Sequence, residues 1–272
     1  NTMSEKRSEI VRPIIYRECL LKHFPTTVKS EYKPADFIIG FASEDYNPNG
    51  VGTGNFHPTW DPASFTPENV KKLKETYPHV RVMISIGGDM GSDSPFNPNE
   101  KQAWIVAAVN SLREIIHIFD DDNQKNMIDG IDIHYDEIKS SAHDFSYCIG
   151  EVIKSLKSDR HLTIKVVSIA PGEYTQVYYY RLYIENQNYI DLVDYLFTDW
   201  GCSMEDLVKL YKKLLADYSH AALLPGYLNP SFLGDKTKEA ALYLVTHNLA
   251  PGFFTYPAND DSHVEEDASK HI

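Results

Sequence analysis

Short runs rich in β-branched and aromatic residues recur eight times along this chain, at 13–18, 36–43, 80–88, 128–137, 162–170, 192–198, 222–227 and 252–256. Longer stretches with helical spacing separate most of them, at 100–119, 142–157, 204–218 and 238–248. Thr66-Pro67 opens a further helix with an N-cap residue followed by proline. Near-continuous apolar strands belong in a sheet covered on both faces, and such sheets are parallel with helical crossovers. Eight strands, most followed by a helix, point to an α/β fold, a single (β/α)8 TIM barrel. The 272 residues suit a barrel, whose usual length is about 250. The rival is an open doubly wound sheet, which calls for a glycine-rich phosphate turn after its first strand, and the chain has none there. The Gly/Asn-rich stretch 47–54 is expected to be a loop. No linker or composition break interrupts the pattern, so residues 1–272 are expected to form one domain.

Composition excludes several function classes. Hydrophobic residues make up 42% and charged residues 24%, which fits a water-soluble globular chain. A net charge of −13 argues against nucleic acid, because phosphate binding needs clustered Lys and Arg. No apolar run is long enough to span a membrane, and the polar start of the chain holds no signal-peptide core. Cys19, Cys148 and Cys202 are too few and too scattered for a cystine framework, and their spacing makes no metal site. No metal or cofactor is therefore expected, and a monomer is expected.

The fourth run carries the chemistry. Ile128-Asp129-Gly130-Ile131-Asp132-Ile133-His134-Tyr135-Asp136-Glu137 holds four acids and a histidine in ten positions. Alternate side chains of a strand share a face, so Asp132, His134 and Asp136 project together while Ile131, Ile133 and Tyr135 face the other way. A buried row of carboxylates is costly unless paired, hydrogen-bonded or used. The bland reading is a strand end whose acids cap the next helix. Against it stands Ser85-Ile86-Gly87-Gly88, one βα unit earlier, at a strand end where barrel enzymes keep their chemistry.

Together, Ser-Ile-Gly-Gly and Asp-Gly-Ile-Asp resemble glycoside hydrolase family 18, the chitinases and their relatives. Val166-Val167-Ser168-Ile169-Ala170-Pro171 and Pro257-Ala258-Asn259-Asp260 extend the likeness to the narbonin-like subgroup of plant chitinase-like seed proteins. The family's fourth strand carries Asp-x-x-Asp-x-Asp-x-Glu, whose last Glu protonates the glycosidic oxygen. The substrate's own acetamido group then acts as nucleophile, outside the two-carboxylate scheme. Carried over residue by residue, Asp129 and Asp132 match the first two acids. His134 stands where the third Asp orients the acetamido group, and Asp136 stands where the Glu is.

These departures imply that hydrolysis is lost. An Asp carboxyl sits roughly 1–1.5 Å short of a Glu carboxyl, and about 1 Å of misplacement costs on the order of a hundredfold in rate. A neutral imidazole cannot supply the missing negative charge. Glu137 has the wrong parity to stand in. Hence Asp129, Asp132, His134 and Asp136 are read as vestigial catalytic positions. Tyr16, Phe41, Gly88, Tyr227 and Tyr256 are the candidates for lining a sugar cleft, with Tyr256 where the family usually presents Trp. Near Leu196, polar ligand-facing residues of the family are replaced. The resemblance implies a catalytically inactive plant protein, with seed storage as its leading role and seed or storage tissue as its location. The alternatives are a lectin for N-acetylglucosamine or chitin oligosaccharides, a weak chitinase using Asp136 as acid, and an inhibitor of another glycosidase acting through the outer helices. Among other aromatics, the tyrosines between 174 and 183 are expected mainly to pack helices, and Trp60, Trp104 and Trp200 to be packing residues, with Trp200, at a strand end, having the best claim to the mouth.

Overall fold

The computed structural model describes residues 34–89, 91–121, 125–198, 201–228 and 234–256, and the backbone alone of 14–18. The Tyr16 side chain, Cys19, Trp200 and the 257–260 motif lie outside the described residues. The strands are β1 (Ile14–Glu18), β2 (Ala35–Tyr46), β3 (Gly52–Pro58), β4 (Val80–Gly88), β5 (Gly130–Tyr135), β6 (Val166–Ile169), β7 (Leu192–Leu196), β8 (Ala222–Leu228) and β9 (Phe253–Tyr256). The helices are α1 (Pro67–Thr76), α2 (Lys101–His117), α3 (Ala142–Lys157), α4 (Gln176–Asn186), α5 (Met204–Asp217) and α6 (Thr237–Thr246).

Parallel pairing runs β1-β2-β4-β5-β6-β7-β8-β9 and returns to β1, which bonds both β2 and β9. The ring of eight parallel strands is the (β/α)8 barrel that the alternating pattern implies. Helix starts follow the local chemistry: Thr66, Ser141 and Ser203 each accept a backbone N–H of the first turn on the side-chain oxygen. Among the described residues no helix is long and apolar enough to cross a membrane.

Two apolar layers hold the ring. Inside it, Ile38, Met83, Val166, Leu192, Leu224 and Phe254 pack together. Outside it, the other strand faces meet the helices in a larger core that includes Ile131, Ile133 and Tyr135. The β5 alternation is therefore as its sequence implies, with the Ile-Ile-Tyr face outward. Gly226 of β8 leaves the space that the Phe254 ring fills, since a Cβ there would lie 2.1 Å from that ring.

One expectation is corrected. Residues 47–54 are not simply a loop: a turn at Asn47–Gly50 leads into β3, which pairs antiparallel with the far end of the twelve-residue β2. Gly-Thr-Gly-Asn has little intrinsic strand preference, so the signal is weak in sequence. Tertiary contacts supply it instead. Ser111 of α2 accepts the Phe56 N–H at 2.9 Å, and Gly54 lies so close to Trp104 that a Cβ would fall 2.5 Å from its carbonyl oxygen.

Candidate functional site at the barrel mouth

Three neighbouring strands present Ser85, Asp132 and Ser168 side by side in register. Asp132 is fully buried and accepts both hydroxyls, at 2.7 Å from Ser85 and 2.6 Å from Ser168. Two hydrogen bonds to a carboxylate offset much of the cost of burying it. This serine–aspartate row forms the floor beneath the mouth.

One step up β5, His134 Nε2 lies 3.1 Å from Asp136 Oδ1 and 3.2 Å from Asp89 Oδ1. Asp89 directly follows β4, and its other oxygen accepts the hydroxyl of Tyr256 from β9. The His134 side chain is 7% exposed, and Asp89 and Asp136 are about one-third exposed, so the cluster is a buried imidazole flanked by two half-open carboxylates. The Phe41 ring backs His134 edge-on at 5.2 Å, and the Tyr256 ring lies 5.9 Å from it on a tilt.

The end of β5 is clamped from outside. The Tyr179 hydroxyl of α4 accepts the Tyr135 N–H at 2.7 Å and donates to the Tyr135 carbonyl at 2.9 Å. The Tyr135 hydroxyl donates to Glu44 at 2.9 Å, and Glu44 also accepts Trp104 Nε1 at 2.8 Å and the Gly54 N–H at 3.0 Å. Burial raises the Glu44 carboxyl above its ordinary value, against the lowering effect of these donors. Burial, with Glu44 beside it, holds the Tyr135 phenol well above its own range. His134 and Asp136, on either side of Tyr135, thus project from a backbone anchored on its outer side.

Above the cluster is a cavity of about 570 Å³, with Leu196, Leu228, Phe254 and Tyr256 among its apolar walls. Asp194 adds a buried carboxylate to the lining, and the exposed Glu173 and Tyr174 form its rim. Volume, apolar walls and a few convergent polar groups are the features of a small-ligand site.

The sequence candidates divide on folding. Asp132, His134 and Asp136 share the inner face, whereas Asp129 does not join them. It precedes β5 at the opposite end of the barrel, pairs with Lys74 and accepts the Val82 N–H at 2.9 Å. Of the sugar candidates, Tyr256 lines the cavity, and Phe41 supports His134 from behind. Gly88 is corrected: it packs beneath Ser92 and Ser94, where a Cβ would meet them at 2.9 and 2.7 Å. Tyr227 is corrected as well. It points out of the barrel, 2% exposed, against Phe253 and beneath Lys238, because Leu224 and Leu228 hold the inward positions of β8. Trp60 and Trp104 pack in the outer core, as do Tyr179 and Tyr183.

Sequence reasoning passed over Asp89 and Asp194. Asp89 follows Gly87-Gly88 at a strand end, and Asp194 is an acid inside an apolar strand. Both signals were visible, and each is weak alone. Cysteine spacing offered no metal ligands, yet folding gathers one ligand-type atom each from Asp89, His134 and Asp136 within 4.8 Å of one another.

Comparison with known proteins agrees with the barrel fold. The profile of the glycosyl hydrolases family 18 matches residues 28–224. Chitinase 1 of Tulipa saxatilis subsp. bakeri is 31% identical over 237 residues, which is 82% of this chain and 72% of that protein. The RuBisCO-associated protein of Glycine max is 30% identical over 169 residues, 58% of this chain and 55% of that protein. Among solved structures, the family 18 chitinase from Crocus vernus superposes with a TM-score of 0.80 at 24% identity, covering 95% of this chain and 98% of that one.

Proposed function

The chain belongs to glycosyl hydrolase family 18, and we propose that within it this protein is a chitinase-like plant protein that binds a chitin-derived oligosaccharide at the barrel mouth without cleaving it. The observation that carries the reading is the state of Asp136. Its carboxylate lies against His134 Nε2, and an imidazole stands where the family resemblance places a second carboxylate. A general acid must come within hydrogen-bond reach of the oxygen it protonates. Asp136 is one methylene shorter than the Glu of that motif, and its near oxygen faces the imidazole. Two defects side by side support loss of hydrolysis more strongly than either alone.

An open cavity with Tyr256 in its wall favours binding over storage, the role implied by likeness to the narbonin-like proteins. Stacking on an aromatic ring plus a few polar contacts can hold a sugar without any catalytic acid. The test is calorimetric titration with the N-acetylglucosamine tetramer, followed by mass analysis of the mixture. Binding with the tetramer intact is the expected result. Shorter products formed by the wild type and not by Asp136→Ala would overturn it in favour of a weak chitinase. No heat and no products would leave storage as the better account.

A further inference from the structure

We propose that Asp89, His134 and Asp136 form a divalent-cation site at the base of the barrel-mouth cavity. The three side chains come from the ends of two adjacent strands, β4 and β5, and offer one imidazole nitrogen and two carboxylate oxygens. That mixed set suits a borderline divalent ion such as Zn²⁺ or Mn²⁺ better than an all-oxygen ion such as Ca²⁺.

The geometry points to a shared ion. His134 Nε2 is 3.1 Å from one carboxylate oxygen and 3.2 Å from the other. With metal bonds of about 2.1 Å, such separations correspond to ligand–metal–ligand angles of about 95–100°, between the octahedral and tetrahedral values. Ligand atoms spaced as neighbours on one ion are what a metal site requires.

The surroundings fit as well. Tyr256 bonds the second oxygen of Asp89, and Phe41 packs on the His134 ring, so two of the three ligands are oriented by neighbours. Asp136 and Asp89 retain about a third of their side-chain surface, and the cavity above leaves room for water or a ligand oxygen to complete the coordination. The site does not depend on the sugar-binding reading, and its test uses no sugar.

Protein stripped with EDTA and dialysed is titrated with Zn²⁺ by calorimetry at neutral pH. One equivalent should bind, and a hundredfold excess of Zn²⁺ over its Kd should raise Tm by about 5 °C. Affinity should fall at least tenfold in Asp136→Asn and in His134→Gln, and should be unchanged in Glu137→Gln, an exposed acid of opposite parity. It should also weaken as pH falls, because only neutral imidazole ligates. Equal binding by the wild type and Asp136→Asn would assign the ion to surface histidines and overturn the proposal, as would no binding at all. Should His134→Gln fail to fold, Asp136→Asn carries the test, since that side chain is partly exposed.

Discussion

Replacing Tyr227 tests the placement of β8 directly, because the two faces of that strand have different jobs. The ring is 2% exposed, stacks on Phe253 with centroids 6.0 Å apart, and lies under Lys238 Nζ at 5.8 Å. Cutting a buried aromatic side chain to Ala costs about 3–5 kcal/mol, including the cavity it leaves. The aromatic pair is about 0.5–1.5 kcal/mol of that, and the cation over the ring contributes roughly 0.5–1 kcal/mol. For a domain of this size, where 1 kcal/mol shifts Tm by roughly 2–4 °C, Tyr227→Ala should melt on the order of 10 °C below the wild type. Tyr227→Leu keeps much of the volume and should lose about half as much. Oligosaccharide affinity should be unchanged in both, since the ring faces α6 and not the cavity. Circular dichroism melts and calorimetry read the two quantities separately. A variant that keeps its Tm within about 2 °C and loses sugar binding would place the ring in the mouth and refute the outward assignment.

Three further outcomes follow from buried charge and burial. Arg81→Met strips Asp36, fully buried, of its two-pronged partner at 2.6 and 2.7 Å. It should cost about 3–5 kcal/mol in urea unfolding, with much of the loss regained in Arg81→Met/Asp36→Leu, and an unchanged midpoint for the single variant would refute the pairing. Glu44 has a carboxyl raised by burial above its ordinary 4.5, so its contribution to stability is fully present below that value and is lost as pH rises through the raised one. Unfolding midpoints taken upward from pH 4.5 should therefore fall more steeply in the wild type than in Glu44→Gln, and parallel curves would show that Glu44 does not supply the slope. Cys148 is fully buried with its thiol pushed up to about 12, so a thiol reagent should label it only on unfolding. Mass spectrometry of native protein that finds Cys148 modified at the rate of an exposed thiol would contradict that burial.

Much of the fold was legible because its signal is local. Amphipathic spacing and the Thr66 cap act within a few residues, and α1 begins where that cap stands. β3 was not legible, because its pairing partner on β2 and its packing partner Trp104 are distant in sequence. At the site, the inward row of Asp132, His134 and Asp136 could be read from alternation, since Ile131, Ile133 and Tyr135 mark the opposite face as apolar. On β8 the same logic fails. Both faces of a strand in a covered parallel sheet are apolar, so alternation does not say whether Leu224 or Tyr227 faces inward.

By itself, then, the sequence of this protein determined the βα rhythm, the family to which the chain belongs and the side of β5 that carries the acids and the histidine. Only the tertiary structure decided what those groups meet. Asp89 reaches His134 from the neighbouring strand, and Tyr256 reaches Asp89 across 167 positions of chain. Asp129, which matches the same motif, is drawn to Lys74 at the far end of the barrel. Periodicity sets the direction of each side chain along its own strand. Which directions converge depends on the register between strands and on ring closure, and these are fixed by hydrogen bonding and core packing between segments far apart in the chain.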